Sequence, residues 1–408
     1  MTLQLHQLTT TITTTWTIST TADTWMVRSS GVINSGAADG IHETSGAASN
    51  LIDIAGFVKA SSAMDDQAAG ILAEGSNTDI GIATSGVVEG FYGVELFGTS
   101  QSLVNHGAIF GAIANGYGVY MDGNVGSTIS NFGSIGGDTA VFIFGGNLLS
   151  GPSGVTALVN RDGGVISSTG DAINASTADN EYIRIVNRGL LDGDDMAYTG
   201  GDGSDVLVNS GEIQGDVRLG LGSDSFDGRG GKMFGNIYGG GGGDTLLTSK
   251  AGLQLIEGFG AGRDSVFSTV SYDLNANVEQ LFLIGNKNID GNGNGLDNRL
   301  EGNVANNILR GGDGNDHLWG HAGADKMRGG ANADIFIFGD GDGRDQILDF
   351  ENGRDRIDLS GWANTSNLFD VKAHLTVDGD DLVIRAGSDS LRLVDVDRNE
   401  LDRSDFLF

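Results

Sequence analysis

The chain contains no cysteine and a single proline in 408 residues. No disulfide can staple it, so packing, hydrogen bonds or bound ions must hold its fold. Basic residues are scarce as well: 23 lysines and arginines stand against 54 aspartates and glutamates, a formal charge of −31. That balance excludes a nucleic-acid partner, because phosphate binding needs the opposite sign. No apolar run approaches the roughly eighteen residues of a membrane span. The opening MTLQLHQLTTTITTTWTIS has neither a basic n-region nor an apolar h-region, so it does not read as a secretory leader. H-E-x-x-H, G-x-S-x-G and G-x-x-x-x-G-K-[ST] are all missing, which argues against a zinc protease, a lipase and a P-loop nucleotide hydrolase.

Glycine is abundant instead, at 69 residues, but without the G-X-Y period of collagen. Its densest use is Gly293 to Ile337. Cut into nines, this stretch reads GNGLDNRLE, GNVANNILR, GGDGNDHLW, GHAGADKMR, GGANADIFI. Position eight holds Leu300, Leu309, Leu318, Met327 and Phe336, and position six holds Asn298, Asn307, Asp316, Asp325 and Asp334. Glycines permit a tight turn with φ > 0. Such a turn gathers carbonyl oxygens, and the carboxylate at position six points to the same place. Calcium, a hard cation of six or more oxygen ligands, suits that donor set. The last three residues of each unit form a short strand whose position-eight side chain points inward. Two units make one coil, and every turn stacks on the turn two units later.

In these nonapeptides the chain resembles the RTX (repeats-in-toxin) family of calcium-binding proteins. The resemblance implies several calcium ions. The main one lies between the turns that start at Gly311 and Gly329, with Asp316 and Asp334 as ligands and Gly311 and Asp313 contributing from the turn. The opposite edge stacks the turns at Gly302 and Gly320, with Asp325 and a weaker Asn307. Where Asn replaces Asp, weak or absent calcium is expected, the Asn side chain bonding the turn instead. Further on, FGDGDGRDQILDFENGRDRIDLSGW (338–362) places Asp345 and Asp355 in related turns, with Asp342, Asp349 and Asp358 nearby.

Upstream, from Val27 to about Leu191, a looser motif recurs: apolar-x-Asn-x-Gly-x-apolar. It carries Asn34, Asn105, Asn131, Asn160 and Asn187, overlaps the next region at Asn209, and has a copy with Thr84 in place of Asn. Short strands separated by tight corners at this period predict a parallel β-solenoid, with the asparagines bonding from coil to coil. The pattern resembles passenger repeats of bacterial surface proteins. Between residues 200 and 267 the two patterns merge. GGDGSDVLV, LGLGSDSFD, GGGGGDTLL and FGAGRDSVF place Asp205, Asp224, Asp244 and Asp264 at separations of 19, 20 and 20. One calcium-type corner per coil is expected there.

The predicted fold is therefore all-β: an elongated parallel β-solenoid (β-helix) running into a calcium β-roll, with a short C-terminal β cap. Its segments are a Thr-rich strand or cap (1–26), a solenoid without calcium corners (27–199), a solenoid with them (200–277), the β-roll (278–337) and a cap (338–408). The ending Asp405-Phe406-Leu407-Phe408 resembles the C-terminal signal of type I secretion substrates. Acidity is concentrated downstream, with net −11 over residues 1–190 and −20 over 191–408, so the second part should loosen without cations and fold with them. The expected role is a calcium-dependent extracellular or cell-surface structural protein that self-associates into a homopolymer or lattice, or binds cell-surface polysaccharide. The alternative is a polysaccharide lyase or epimerase on the solenoid. Its best acid/base group is His106 with Tyr117 and Tyr120; Arg161, Arg184 and Arg188 are the only arginines nearby. No catalytic residue is assigned.

Overall fold

The computed structural model describes residues 4–36, 38–61, 63, 67–122, 126–144, 155–177, 182–363 and 367–408. It forms two units, Met1–Gly241 and Gly242–Phe408.

In the first unit most coils carry three short strands, and in two of them the second and third fuse into one ten-residue strand, Leu190–Thr199 and Glu212–Leu221. A representative coil runs Ser102–Asn105, Ala108–Phe110 and Tyr117–Asp122. The next repeats it as Thr128–Asn131, Ser134–Gly137 and Thr139–Phe144. The coils pair in parallel, with Leu103 on Ile129, Ile109 on Ile135 and Val119 on Val141. All six side chains are buried. Parallel strands need a crossover of a dozen or more residues, and here the rest of the coil is that crossover. Alternation along each strand sends β-branched residues inward and Ser, Thr or Tyr outward.

The asparagines form the expected ladder where the motif is strict. Asn105 Nδ2 donates to Asn131 Oδ1 at 2.8 Å, and the Asn131–Asn160, Asn160–Asn187 and Asn187–Asn209 steps follow at 2.9 Å each. All five residues are buried. Asn34 and Thr84 fall outside it. Pairing aligns Asn105 with Ile82, Ile82 with Ile54, and Ile54 with Val27. The column is thus aliphatic in the early coils. Asn34 ends a strand of the other sheet, Val32–Asn34, and is exposed.

The second unit has shorter coils. Arg299–Glu301, His317–Trp319 and Ile335–Gly339 stack in one sheet, and Ile308–Asp313, Lys326–Ala331 and Arg344–Ile347 in the other. Alternate nonapeptides therefore feed alternate sheets, and two make a coil. The position-eight residues Leu300, Leu318 and Phe336 are in register, followed by Ile357 and then Phe406. All are buried. The end is antiparallel: Leu375–Asp378, Asp381–Ala386 and Asp389–Leu393 form a meander whose last strand continues the parallel sheet beside Arg344–Ile347. Phe406–Leu407 joins the first sheet beside Arg356–Gly361.

Asn131→Ala would leave the Asn105 amide and the Asn160 carbonyl oxygen without their ladder partner. At about 1–3 kcal/mol per buried unsatisfied group, the first unit should lose about 2–3 kcal/mol in denaturant unfolding. The loss should be the same with and without calcium.

Candidate metal centres

The acidic corners are built by one repeated hydrogen bond. The residue at position six donates its backbone N–H to the carboxylate Oδ1 of the equivalent residue one coil later. Asp205 N donates to Asp224 Oδ1 at 2.6 Å and Asp244 N to Asp264 Oδ1 at 2.7 Å. In the nonapeptides, Asn298 N donates to Asp316, Asp316 N to Asp334 and Asp334 N to Asp355, at 2.8, 2.9 and 3.0 Å. On the other edge Asn307 N donates to Asp325 at 2.6 Å and Asp325 N to Asp345 at 2.9 Å. One oxygen of each aspartate thus holds the stack together.

The second oxygen separates the corners into two kinds. In Asp316, Asp325, Asp334 and Asp264 it is buried without a hydrogen-bond partner. These corners have left-handed residues at positions two and four: Gly312 and Gly314 (φ +117° and +115°), His321 and Gly323, Gly330 and Asn332, and Gly260 and Gly262. The left-handed turn keeps the position-two N–H away from the carboxylate, so these corners are open. Gly220 and Gly222 before Asp224, and Gly341 and Gly343 before Asp345, repeat that conformation.

The other corners are closed. Asn298 Oδ1 accepts from Asn294 N and Asn307 Oδ1 from Asn303 N, both at 2.7 Å, and neither corner has a left-handed residue at position two or four. The asparagine bonds the turn, as the sequence suggested. Asp355 behaves likewise, its Oδ2 accepting from Glu351 N at 2.8 Å. Asp205 is closed the same way and by more: the position-two N–H of Gly201 bonds its carboxylate, Ile183 N donates to Oδ1 at 3.0 Å and the buried Tyr198 hydroxyl to Oδ2 at 2.6 Å.

Open corners suit a cation. A side-chain carbon at Gly311 would collide with Asp316 Oδ2 and the carbonyl oxygen of Gly329, so a carboxylate and a carbonyl from successive coils converge on one small space. Burial pushes Asp316, Asp325 and Asp334 up to about 7 and Asp345 up to about 8, neighbouring acids adding to the rise. Buried hard oxygens with no counter-charge are the donors calcium takes.

Two acids outside the nonapeptide pattern belong to this architecture. Asp349 Oδ1 accepts from Gly329 N at 3.0 Å and holds the turn before Asp334. Glu257 lies with Asp244 and Asp264, one carboxylate oxygen of each within 4.8 Å of the others. Neither stands at position six of a repeat, so periodicity gave no signal for them. Asp313 is exposed at the end of its strand. The catalytic alternative finds no constellation in its best group: His106 stacks on Phe132 at 4.4 Å with Arg161 over the same ring, while Tyr117 packs with Tyr92, Tyr120 and Phe142.

The raised carboxylates set a pH dependence. Without calcium the folded second unit keeps protons that the unfolded chain, with aspartates near 3.8, releases. Its stability is therefore fullest below about pH 4 and falls as pH rises through 7 to 8. EDTA-treated protein should melt at a lower temperature at pH 8 than at pH 5, and calcium should reverse the order while releasing protons, as calorimetry in buffers of different ionisation enthalpy would register. Asp316→Asn should lower the bound-calcium count by equilibrium dialysis and raise the melting temperature in EDTA, because a neutral amide replaces a buried charge.

Residues 292–327 and 314–345 match the model of a family described as the RTX calcium-binding nonapeptide repeat (4 copies). No curated protein matches. Among solved structures, the extracellular lipase LipA from Serratia marcescens is similar over 64% of this chain and 40% of that one, at 18% identity and a TM-score of 0.21. The chain thus spans well under half of that lipase. Within the described residues no helix is long and apolar enough to cross a membrane. The stretch from 292 to 345 is thus an RTX calcium-binding nonapeptide module.

Proposed function

We propose that this is an extracellular structural protein that is exported unfolded through a type I apparatus, folds on meeting calcium, and then self-associates at the cell surface or in a matrix. The observation that carries this reading is the series of open corners. Buried carboxylates without counter-charge oppose folding where calcium is scarce and drive it where calcium is plentiful. The acidic-apolar tail fits the same sequence of events. Asp405 is buried and accepts from Gly353 N at 3.2 Å, and Phe406 is buried in the sheet, so folding withdraws both from solvent.

Two surfaces support a role in assembly or adhesion over catalysis. Among the described residues, Leu5–Leu8, Thr11–Ile12 and Trp16–Ile18 each pair on one side only, and Leu5 is 58% exposed. Left uncovered, a parallel edge of this kind can pair with another chain. The outer face of the three-stranded coils also carries stacked aromatic rings: Tyr92 on Tyr117 at 5.6 Å and Tyr120 on Phe142 at 5.5 Å, with Phe97 and Phe144 alongside. A half-buried aromatic stripe of this kind supports surface polysaccharide as the second reading of the partner.

Light scattering and electron microscopy in EDTA, and then in millimolar calcium, test the proposal. Conversion of an expanded monomer into ordered fibres or sheets is the expected result. A compact monomer instead would remove self-assembly and turn the test to retention on polysaccharide, while turnover of an added polysaccharide would overturn the structural role.

A further inference from the structure

We propose that Asp244, Glu257 and Asp264 form a separate cation site that takes calcium more tightly than the nonapeptide corners do. The proposal rests on the calcium reading of the open corners and adds a ligand that the repeat pattern does not contain.

The three carboxylates are almost fully withdrawn from water, with 1%, 8% and 0% of their surface exposed. One oxygen from each lies within 4.8 Å of the other two. Asp264 Oδ1 is occupied by the backbone N–H of Asp244 at 2.7 Å. Its Oδ2 is buried without a hydrogen-bond partner, and this orphaned oxygen marks the place as more than a cluster of acids. Glu279 adds a fourth acid beside them, its Oε2 accepting from Asp264 N at 2.9 Å.

Glu257 arrives by a different route from the aspartates. It follows the short strand Leu255–Ile256, and its backbone carbonyl is held by Asn277 Nδ2 at 2.9 Å. The segment is therefore fixed against the next coil. A nonapeptide corner offers one carboxylate from each turn, whereas this place gathers a third from between turns. Affinity of an oxygen site for calcium rises with the charge of its ligands. An all-carboxylate set without imidazole or thiolate also disfavours zinc and copper against calcium. The site should fill first as calcium rises and fix the start of the second unit before the nonapeptides load.

The test is calcium titration of the full chain against a chromophoric chelator, in the wild type and in Glu257→Gln. The expected result is loss of the tightest class of site in the variant, with the weaker sites retained. Asp264→Asn should remove the same class. In EDTA, Glu257→Gln should melt no lower than the wild type, since it deletes a buried charge; equal destabilisation with and without calcium would mean that Glu257 is only structural and would overturn the site. An unchanged tightest class would overturn it too, while leaving the calcium reading intact. A wild-type chain that takes up no calcium would overturn both.

Discussion

The second unit depends on stacked aspartates whose carboxylates are buried beside other acids. Each aspartate is needed for the fold, because one of its oxygens accepts the backbone N–H of the coil before it. The same residue opposes the fold, because burial and its acidic neighbours make its charge costly. A bound cation resolves the conflict without altering the hydrogen bonds, since it engages the oxygen the stack does not use. Calcium dependence is thus a property of the stacking geometry and is not confined to one loop.

Much of this was legible in the sequence, because a solenoid writes its period directly into the chain. Position eight predicted the buried column through Leu300, Leu318 and Phe336, and the Asn motif predicted the ladder from Asn105 to Asn209. The early register was misread. VINSGAA looks like the motif, but the register is set by Val27 pairing with Ile54, a contact invisible to local pattern matching.

Corner type was only partly legible. Asn298 and Asn307 announce closed corners by their chemistry. Asp205 does not: GGDGSD has every glycine the pattern asks for, yet Tyr198, seven residues upstream, donates to its second oxygen. His321 errs in the opposite sense, since a non-glycine residue takes φ +61° where the pattern prefers glycine. Its ring stacks on Trp319 at 3.9 Å and its Nε2 lies 3.0 Å from Glu301 Oε2. These contacts offset the cost of the left-handed backbone. In both cases a side chain outside the corner's six residues takes part.

The hydrogen bond that stacks the aspartates also occurs earlier in the chain than the aspartate repeats. Gln4 N donates to Asp23 Oδ1, Asp23 N to Asn50 Oδ1, and Gln101 N to Ser127 Oγ. Each acceptor immediately precedes the first strand of its coil, the place that Asp205 and Asp224 occupy later in the same unit. An amide or a hydroxyl serves there because stacking needs only one acceptor. Turning such a corner into a cation site takes two further changes: a second acceptor oxygen on the same side chain, and left-handed residues that turn the position-two N–H aside. Asp355 has the first and a left-handed Gly353 at position four, but position two is Glu351, whose N–H turns in and closes the corner. Both together give Asp316 and Asp334. The calcium corners are therefore a modification of the bond that stacks these coils, which explains how corners with and without an open carboxylate can share one column and one register.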